Sequence, residues 1–362
     1  MDPRIRDHAA VLVDDCTGIE AGDQVAIVAP PAAEPLVTAV AELVGEHGGV
    51  VSTSLGSQRS QRAYKLAAAE ETLAMENEMA RAKYEAADAV VQIRGGENLS
   101  ETGDIPPEKN ATSKRANQAV QEALLDSEWV LTQWPSTGYA QKAEMSTPAY
   151  EDFVWNAINK DWDAVREHQA QLVELLDPAE EVRIVSGDTT DVTMSVAGNH
   201  AENDADDNNM PGGEVFTAPI PDSVEGEVLF DKPVIIQGRE ILDVRLVFED
   251  GKVVEHAASK NEDLLTSLLE TDEGARRLGE LGIGMNRDID RFTGNMLFDE
   301  KMGDTVHMAI GRGYEETVGE GNERNESTVH EDMIVDMSED SRIEFDGEVV
   351  QKDGAFVFED GF

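Results

Sequence analysis

QVAIVAP (24–30), GGVVSTSL (48–55), ADAVVQIRG (87–95) and EWVLTQW (128–134) are four short apolar runs spaced along the first half of the chain. Runs of this length, rich in Val, Ile and Leu and bounded by Gly, Asp or Pro, read as strands. Between them lie segments with helix-like patterning, at about 35–45, around 60–86 and in SKRANQAVQEALLDS (113–127). Ahead of the first run, Ile5, Ala9, Leu12 and Val13 mark a helix over 3–16. Strand, helix and strand repeated at this spacing predict parallel strands joined by crossover helices, the doubly wound α/β class.

Helices are also expected at 148–158 and 160–176, and beyond DPAEE (177–181) the pattern changes. VRIVSG (182–187), DVTMSV (191–196), EVFTAP (214–219) and KPVIIQG (232–238) are short alternating runs. RLVFEDGKVVEH (245–256) is a hairpin with Asp250-Gly251 at its turn, and the tail 341–361 repeats the device at Asp346-Gly347 and Asp353-Gly354. One helix, about 261–278, interrupts these strands. The expectation is an N-terminal doubly wound domain over 1–178 and a C-terminal α+β domain over 179–362 with mostly antiparallel strands.

Seventy-five acidic residues stand against 29 basic ones among 362, a formal net charge of −46 spread along the whole chain. The apolar periodicity excludes disorder, so the charge predicts a folded, carboxylate-covered surface suited to molar salt, which screens self-repulsion. A halophilic source follows. Nucleic acid and anionic membranes are disfavoured as partners. Cys16 is the single cysteine, which excludes an intramolecular disulfide and a thiolate zinc cluster. MDPRIRDHAAVLVDDC (1–16) lacks a continuous apolar segment, and no run of about 18 apolar residues occurs, so a cytoplasmic location is expected. The strand-to-helix turns carry neither a GxGxxG nor a phosphate-binding lysine motif, and Arg94-Gly95-Gly96-Glu97 reads as a loop.

Seven histidines narrow the search for chemistry. His8, His47, His168 and His256 read as surface or capping residues, and His200 lies beside the polar loop AENDADDNN (201–209). His307, in DTVHMAIGRGY (304–314), sits on a strand-like run with Tyr314 just past a Gly-rich turn. In STVHEDMIVDM (327–337), His330 and Asp332 are two apart on another strand and so share a face. Such a pair suits zinc, cobalt, manganese or iron, although His-x-Asp alone is a weak signal and more often structural. Glu214 follows Pro211-Gly212-Gly213 in NNMPGGEVFTAP (208–219). Glu280 stands between glycines in GARRLGELGIGMN (274–286), at the end of a helix-like segment.

PGGEVFTAP (211–219), GELGIGMN (279–286), LFDEKMGDTVHMAIGRGY (297–314) and STVHEDMIV (327–335), in this order, resemble the successive motifs of the aminopeptidase T/aminopeptidase S metallopeptidase family. QKAEMSTPAYEDFV (141–154) extends the resemblance through the first half. The resemblance implies metal ligands at Glu214, Glu280, His307, Tyr314, His330 and Asp332, with two divalent ions (zinc, cobalt, manganese or magnesium). Six ligands, three of them carboxylates, exceed one tetrahedral ion and suit two ions roughly 3.5–4 Å apart. Glu331 departs from the family, where an aromatic residue often separates the histidine and aspartate, and should face away from the site.

The implied activity is hydrolysis of N-terminal residues from peptides, with Glu214 or Glu280 as the carboxylate that carries the proton. A homodimer and a haloarchaeal source are implied with it. Two alternatives stay open. The same resemblance extends to ring-cleaving dioxygenases holding one ferrous ion, for which His307, His330 and Asp332 would be the triad; the other is a non-catalytic peptide- or metal-binding protein.

Overall fold

The alternation in the first half asks for a parallel sheet, and the computed structural model, which describes residues 2–236, 239–360 and 362, contains one. Val50–Leu55, Gln24–Ala29, Ala89–Arg94, Glu128–Gln133 and Asn209–Met210 lie side by side in that order, all parallel. Strand order reverses at Gln24–Ala29, as in a doubly wound sheet. Ile27, Val90, Val91 and Val130 are buried along it.

Several helices are more broken than their patterning suggests. The segment around 60–86 forms three pieces, Gln58–Ala67, Glu70–Leu73 and Glu78–Glu85, of which only Leu73 is buried. Without an apolar stripe nothing holds them as one rod. Residues 113–127 divide at Asn117, whose side chain bonds the Ser113 carbonyl and the Asn77 N–H instead of leaving the helix uninterrupted. The first helix, Pro3–Ala10, continues as a π-helical turn over Val11–Cys16.

Two compact units form, Met1–Lys160 with Asp206–Pro211, and Asp161–Ala205 with Gly212–Phe362. They part at Lys160 rather than near 178, because the helix Trp162–Leu176 buries Leu172 and Leu176 in the second unit's core. Asp206–Pro211 belongs to the first unit because Asn209–Met210 pairs with Glu128–Gln133.

In the second unit an eight-stranded antiparallel sheet runs Lys252–Ala257, Val244–Glu249, Glu225–Phe230, Thr190–Ser195, Glu181–Ser186, Ser341–Phe345, Glu348–Lys352, Ala355–Phe356. The three Asp-Gly turns have φ between +47° and +83° at both residues, the left-handed backbone of tight hairpins. A five-stranded antiparallel sheet runs His330–Asp336, Thr305–Gly311, Leu278–Gly284, Glu214–Thr217, Glu202–Asp204. Val215, Leu281, Ile283, Val306, Met308, Met333 and Val335 from this sheet join Val182, Ile184, Val192 and Val228 from the larger one in a single core. Side chains alternate along a strand, so the residues between these apolar ones point to the other face.

The chain is therefore α/β, with a parallel N-terminal sheet and antiparallel sheets beyond it. The helix expected over 261–278 is shorter, Glu262–Leu269, followed by a 3-10 turn at Gly274–Arg276. Glu280 lies mid-strand, not at a helix end: Gly279, Gly282 and Gly284 disfavour a helix, and a strand buried throughout shows no alternation to read. KPVIIQG supplies the strand Val234–Ile236, while Gln237 and Gly238 lie outside the described residues. No described helix is long and apolar enough to cross a membrane.

Candidate metal centre

Glu214 begins its strand directly after two glycines that only glycine can replace. Gly213 has φ +116°, and a Cβ on Gly212 would lie 1.8 Å from the Ala205 carbonyl oxygen. The Met285 N–H donates to the Gly213 carbonyl at 2.8 Å, and Asn286 Nδ2 donates to that of Gly212 at 3.0 Å. Gln169 Nε2 donates to the Glu214 carbonyl at 2.8 Å. The backbone under Glu214 is held from three sides.

Register does the rest. Glu214 is opposite Gly284, Gly282 opposite His307, Glu280 opposite Ala309, Ala309 opposite Asp332, and Gly311 opposite His330. Cross-strand neighbours point the same way. Glu214, Glu280, His307, His330 and Asp332 thus share the face away from the core, and Gly282, Gly284 and Ala309 leave room above it.

Among the described residues, two groups bring possible ligand atoms within 4.8 Å of one another: Glu214, Glu280 and His307, and Glu280, His330 and Asp332. Glu280 belongs to both. Its Oε1 is 3.1 Å from His307 Nε2 and its Oε2 3.5 Å from His330 Nε2. Glu214 Oε2 is 3.4 Å from His307 Nε2, and Asp332 Oδ1 is 3.6 Å from His330 Nε2. His330 Nδ1 donates to the Arg312 carbonyl at 2.8 Å, which leaves Nε2 with its lone pair toward the carboxylates.

Tyr314 completes the gathering. Its hydroxyl is 3.5 Å from His330 Nε2, and its ring packs on His330 and Phe216 with centroids 5.1 and 5.8 Å away. The residue keeps 41 % of its surface exposed, but the hydroxyl turns inward. Partial burial, then the charges of Glu280 and Asp332, push the phenol well above its ordinary value. A phenolate ligand here requires a cation's charge. Glu331 points to the opposite side of its strand, as alternation demands.

The electrostatics are those of a site short of cations. Burial pushes Glu214 up to about 8 against the opposing pull of Lys301 and His307. Burial also raises Asp332, to about 6, with Glu280 adding to the shift. At Glu280 burial is outweighed by the hydrogen bond and charge of His307, so its pKa falls. Burial would lower His307, but Glu214, Glu280 and Asp332 hold its imidazolium up to about 10. Glu214 Oε2, Glu280 Oε2, His307 Nδ1 and Asp332 Oδ1 are buried without a hydrogen-bond partner in the structure. Buried polar atoms are rarely left so, and carboxylate oxygen with imidazole nitrogen fits a borderline divalent ion such as zinc or cobalt.

Sequence reasoning passed over Lys301, Asp204 and Glu300, which meet beside Glu214. The available signal was a lysine inside LFDEKM, where Leu297, Phe298 and Met302 are apolar. His200 stands in neither ligand group. His8 is not a surface residue: it is fully buried, with Nε2 2.8 Å from Thr132 Oγ1.

Known proteins resemble this chain over most of its length. The chain is 28 % identical over 373 residues to Aminopeptidase T of Thermus thermophilus, covering 89 % of each protein. It is 28 % identical over 398 residues to Aminopeptidase 2 of Geobacillus stearothermophilus, covering 96 % of this chain and 94 % of that one. Among solved structures, wild-type AmpT from Thermus thermophilus matches with a TM-score of 0.86 at 25 % identity, covering 98 % of this chain and 99 % of that one. A 2,5-dihydroxypyridine dioxygenase from Pseudomonas putida shares the fold, with a TM-score of 0.62 at 16 % identity over 99 % of this chain and 97 % of that one. The profile of the family described as thermophilic metalloprotease (M29) matches residues 1–362. The chain belongs to the thermophilic metalloprotease (M29) family.

Proposed function

We propose that this metallopeptidase is an aminopeptidase that works with two divalent ions, one held by Glu214, Glu280 and His307 and the other by Glu280, His330 and Asp332. The observation that carries the reading is Glu280, whose two oxygens each face a different imidazole. The site holds five carboxylates (Asp204, Glu214, Glu280, Glu300 and Asp332) and one ammonium, Lys301, which pairs with Asp204, Glu214 and Glu300, a surplus that a single divalent ion does not neutralise. The relatives named as aminopeptidases support the choice of N-terminal residues of peptides as substrate.

Bound there, two divalent ions would lower the pKa of a shared water toward neutrality and polarise the scissile carbonyl. The chain supplies the rest. Glu280 spaces the two groups, His330 is oriented by the Arg312 carbonyl, and Tyr314 closes the side next to His330. A carboxylate must carry the water's proton to the leaving amine, and Glu280 or Glu214 is the candidate, either one doing so only by freeing an oxygen from its ion. A lone ferrous ion on His307, His330 and Asp332 would leave the unpaired Glu214 oxygen without a role. A homodimer, a cytoplasmic location and molar-salt surroundings belong to the same proposal.

The test is release of leucine or arginine from aminoacyl chromogenic substrates in molar potassium chloride. Chelator-stripped protein is reconstituted separately with cobalt, zinc, manganese, magnesium and ferrous ions. Metal-restored release supports an aminopeptidase; no release with any metal from folded protein counts against it.

A further inference from the structure

Lys301 is 1 % exposed, yet its ammonium is the only cationic side chain touching Glu214 apart from His307 among the described residues. It lies 2.7 Å from Glu214 Oε1, 2.6 Å from Glu300 Oε1 and 3.2 Å from Asp204 Oδ2. Two of these contacts are hydrogen bonds and the third an ion pair, so the buried ammonium is enclosed by carboxylates. Glu214 Oε2, by contrast, has no hydrogen-bond partner and points toward His307 Nε2.

We propose that Lys301 is a positioning residue of the metal centre, which ties up one oxygen of Glu214 and presents only the other to the ion shared with Glu280 and His307. The inference rests on the two-ion reading above. It follows from how a carboxylate divides its oxygens: with Oε1 on an ammonium, Oε2 alone is free to bind. Asp204 and Glu300 are drawn to the same ammonium and stay in an outer layer around the ligand.

The backbone reinforces the arrangement. The Asn286 N–H donates to the Lys301 carbonyl at 3.0 Å, while the Asn286 side chain donates to Gly212 in the turn before Glu214. The lysine and its carboxylate are thereby cross-braced through one asparagine. Two residues earlier, buried Asp299 accepts from the Thr293 N–H at 2.8 Å and its hydroxyl at 2.7 Å, which fixes the segment that delivers Lys301.

A positioning role and a mere charge role predict opposite signs. Removing a positive charge beside a cation site tightens cation binding, whereas releasing a ligand from its support weakens it. The test is a cobalt titration of metal-stripped full-length protein by calorimetry in molar potassium chloride, for wild type and Lys301→Met. Wild type is expected to take up two ions. In Lys301→Met one binding phase should weaken by about 10–100-fold while the other holds. Equal or tighter binding of both ions by folded Lys301→Met overturns the proposal. A wild type that takes up a single ion overturns the two-ion reading itself, and shows this before any substitution is made. Should Lys301→Met not fold, a crystal structure of cobalt-loaded wild type decides. Glu214 bound through one oxygen, with the other on Lys301, supports the proposal; Glu214 bound through both oxygens overturns it.

Discussion

A Cβ on Gly282 would stand 2.0 Å from Cε1 of His307, because the two residues face each other across adjacent strands. The imidazole fills the space that any side chain at 282 would need. It is buried between Glu214 and Glu280 and cannot swing aside without leaving one of them. Gly282→Ala should therefore destabilise the protein by about 1–3 kcal/mol, the usual range for overpacking, and weaken metal binding with it. Denaturant unfolding and metal titration check both; wild-type values in each would show that the ring has room to move.

His330→Ala should abolish turnover and remove the ion of the Glu280–His330–Asp332 group. The loss in metal affinity should exceed the about 10–100-fold typical of outer-layer partners, because a ligand rather than its support is removed. Metal analysis and substrate turnover on the same sample check this. Full turnover in the variant would take His330 out of the site.

Metal-free protein should lose stability as pH rises. Glu214, raised to about 8, and His307, raised to about 10, both hold protons in the folded state that the unfolded chain has already released. The folded state binds more protons between about 4.5 and 10, so stability present at low pH is lost as pH climbs through that window. Asp332, raised to about 6, acts in the same direction at the acidic end. Denaturant midpoints of chelated protein from pH 5 to 9 should fall steadily; a rise would contradict the sign. Metal uptake at pH 7 should release protons, since ligands must give them up, and calorimetry in buffers of different ionisation enthalpy reads the number.

Dilution from molar to about 0.1 M salt lengthens the Debye length from about 3 to about 10 Å. With a net charge of −46, repulsion then reaches across the surface, and isolated exposed pairs such as Lys260–Glu240 contribute too little to offset it. The melting temperature should drop on such dilution. An unchanged melting temperature would remove the case for a salt-adapted surface.

The parts of the fold legible in the sequence were those fixed by local chemistry. Four apolar runs became parallel strands, and three Asp-Gly pairs became hairpin turns, because each depends only on nearby residues. The strand under Glu280 was misread since its glycines and complete burial erase the alternation that marks a strand. His330 and Asp332 were placed on one face by simple alternation, whereas Glu214 and Glu280 entered through ordered motifs. Lys301 was missed for a different reason: its partners at 204 and 214 lie far along the chain, and no local pattern announces that the turn after Met296–Asp299 meets the strands that carry them.

That Glu280 serves two ions is tested most directly by metal content measured against aminopeptidase turnover. Stripped protein would be titrated with cobalt in molar potassium chloride while hydrolysis of an aminoacyl substrate is followed. Two ions per chain at full activity, with Glu280→Gln losing both metal and turnover, is the predicted result. Full activity at one ion per chain, or a Glu280→Gln variant that keeps two ions, would contradict it.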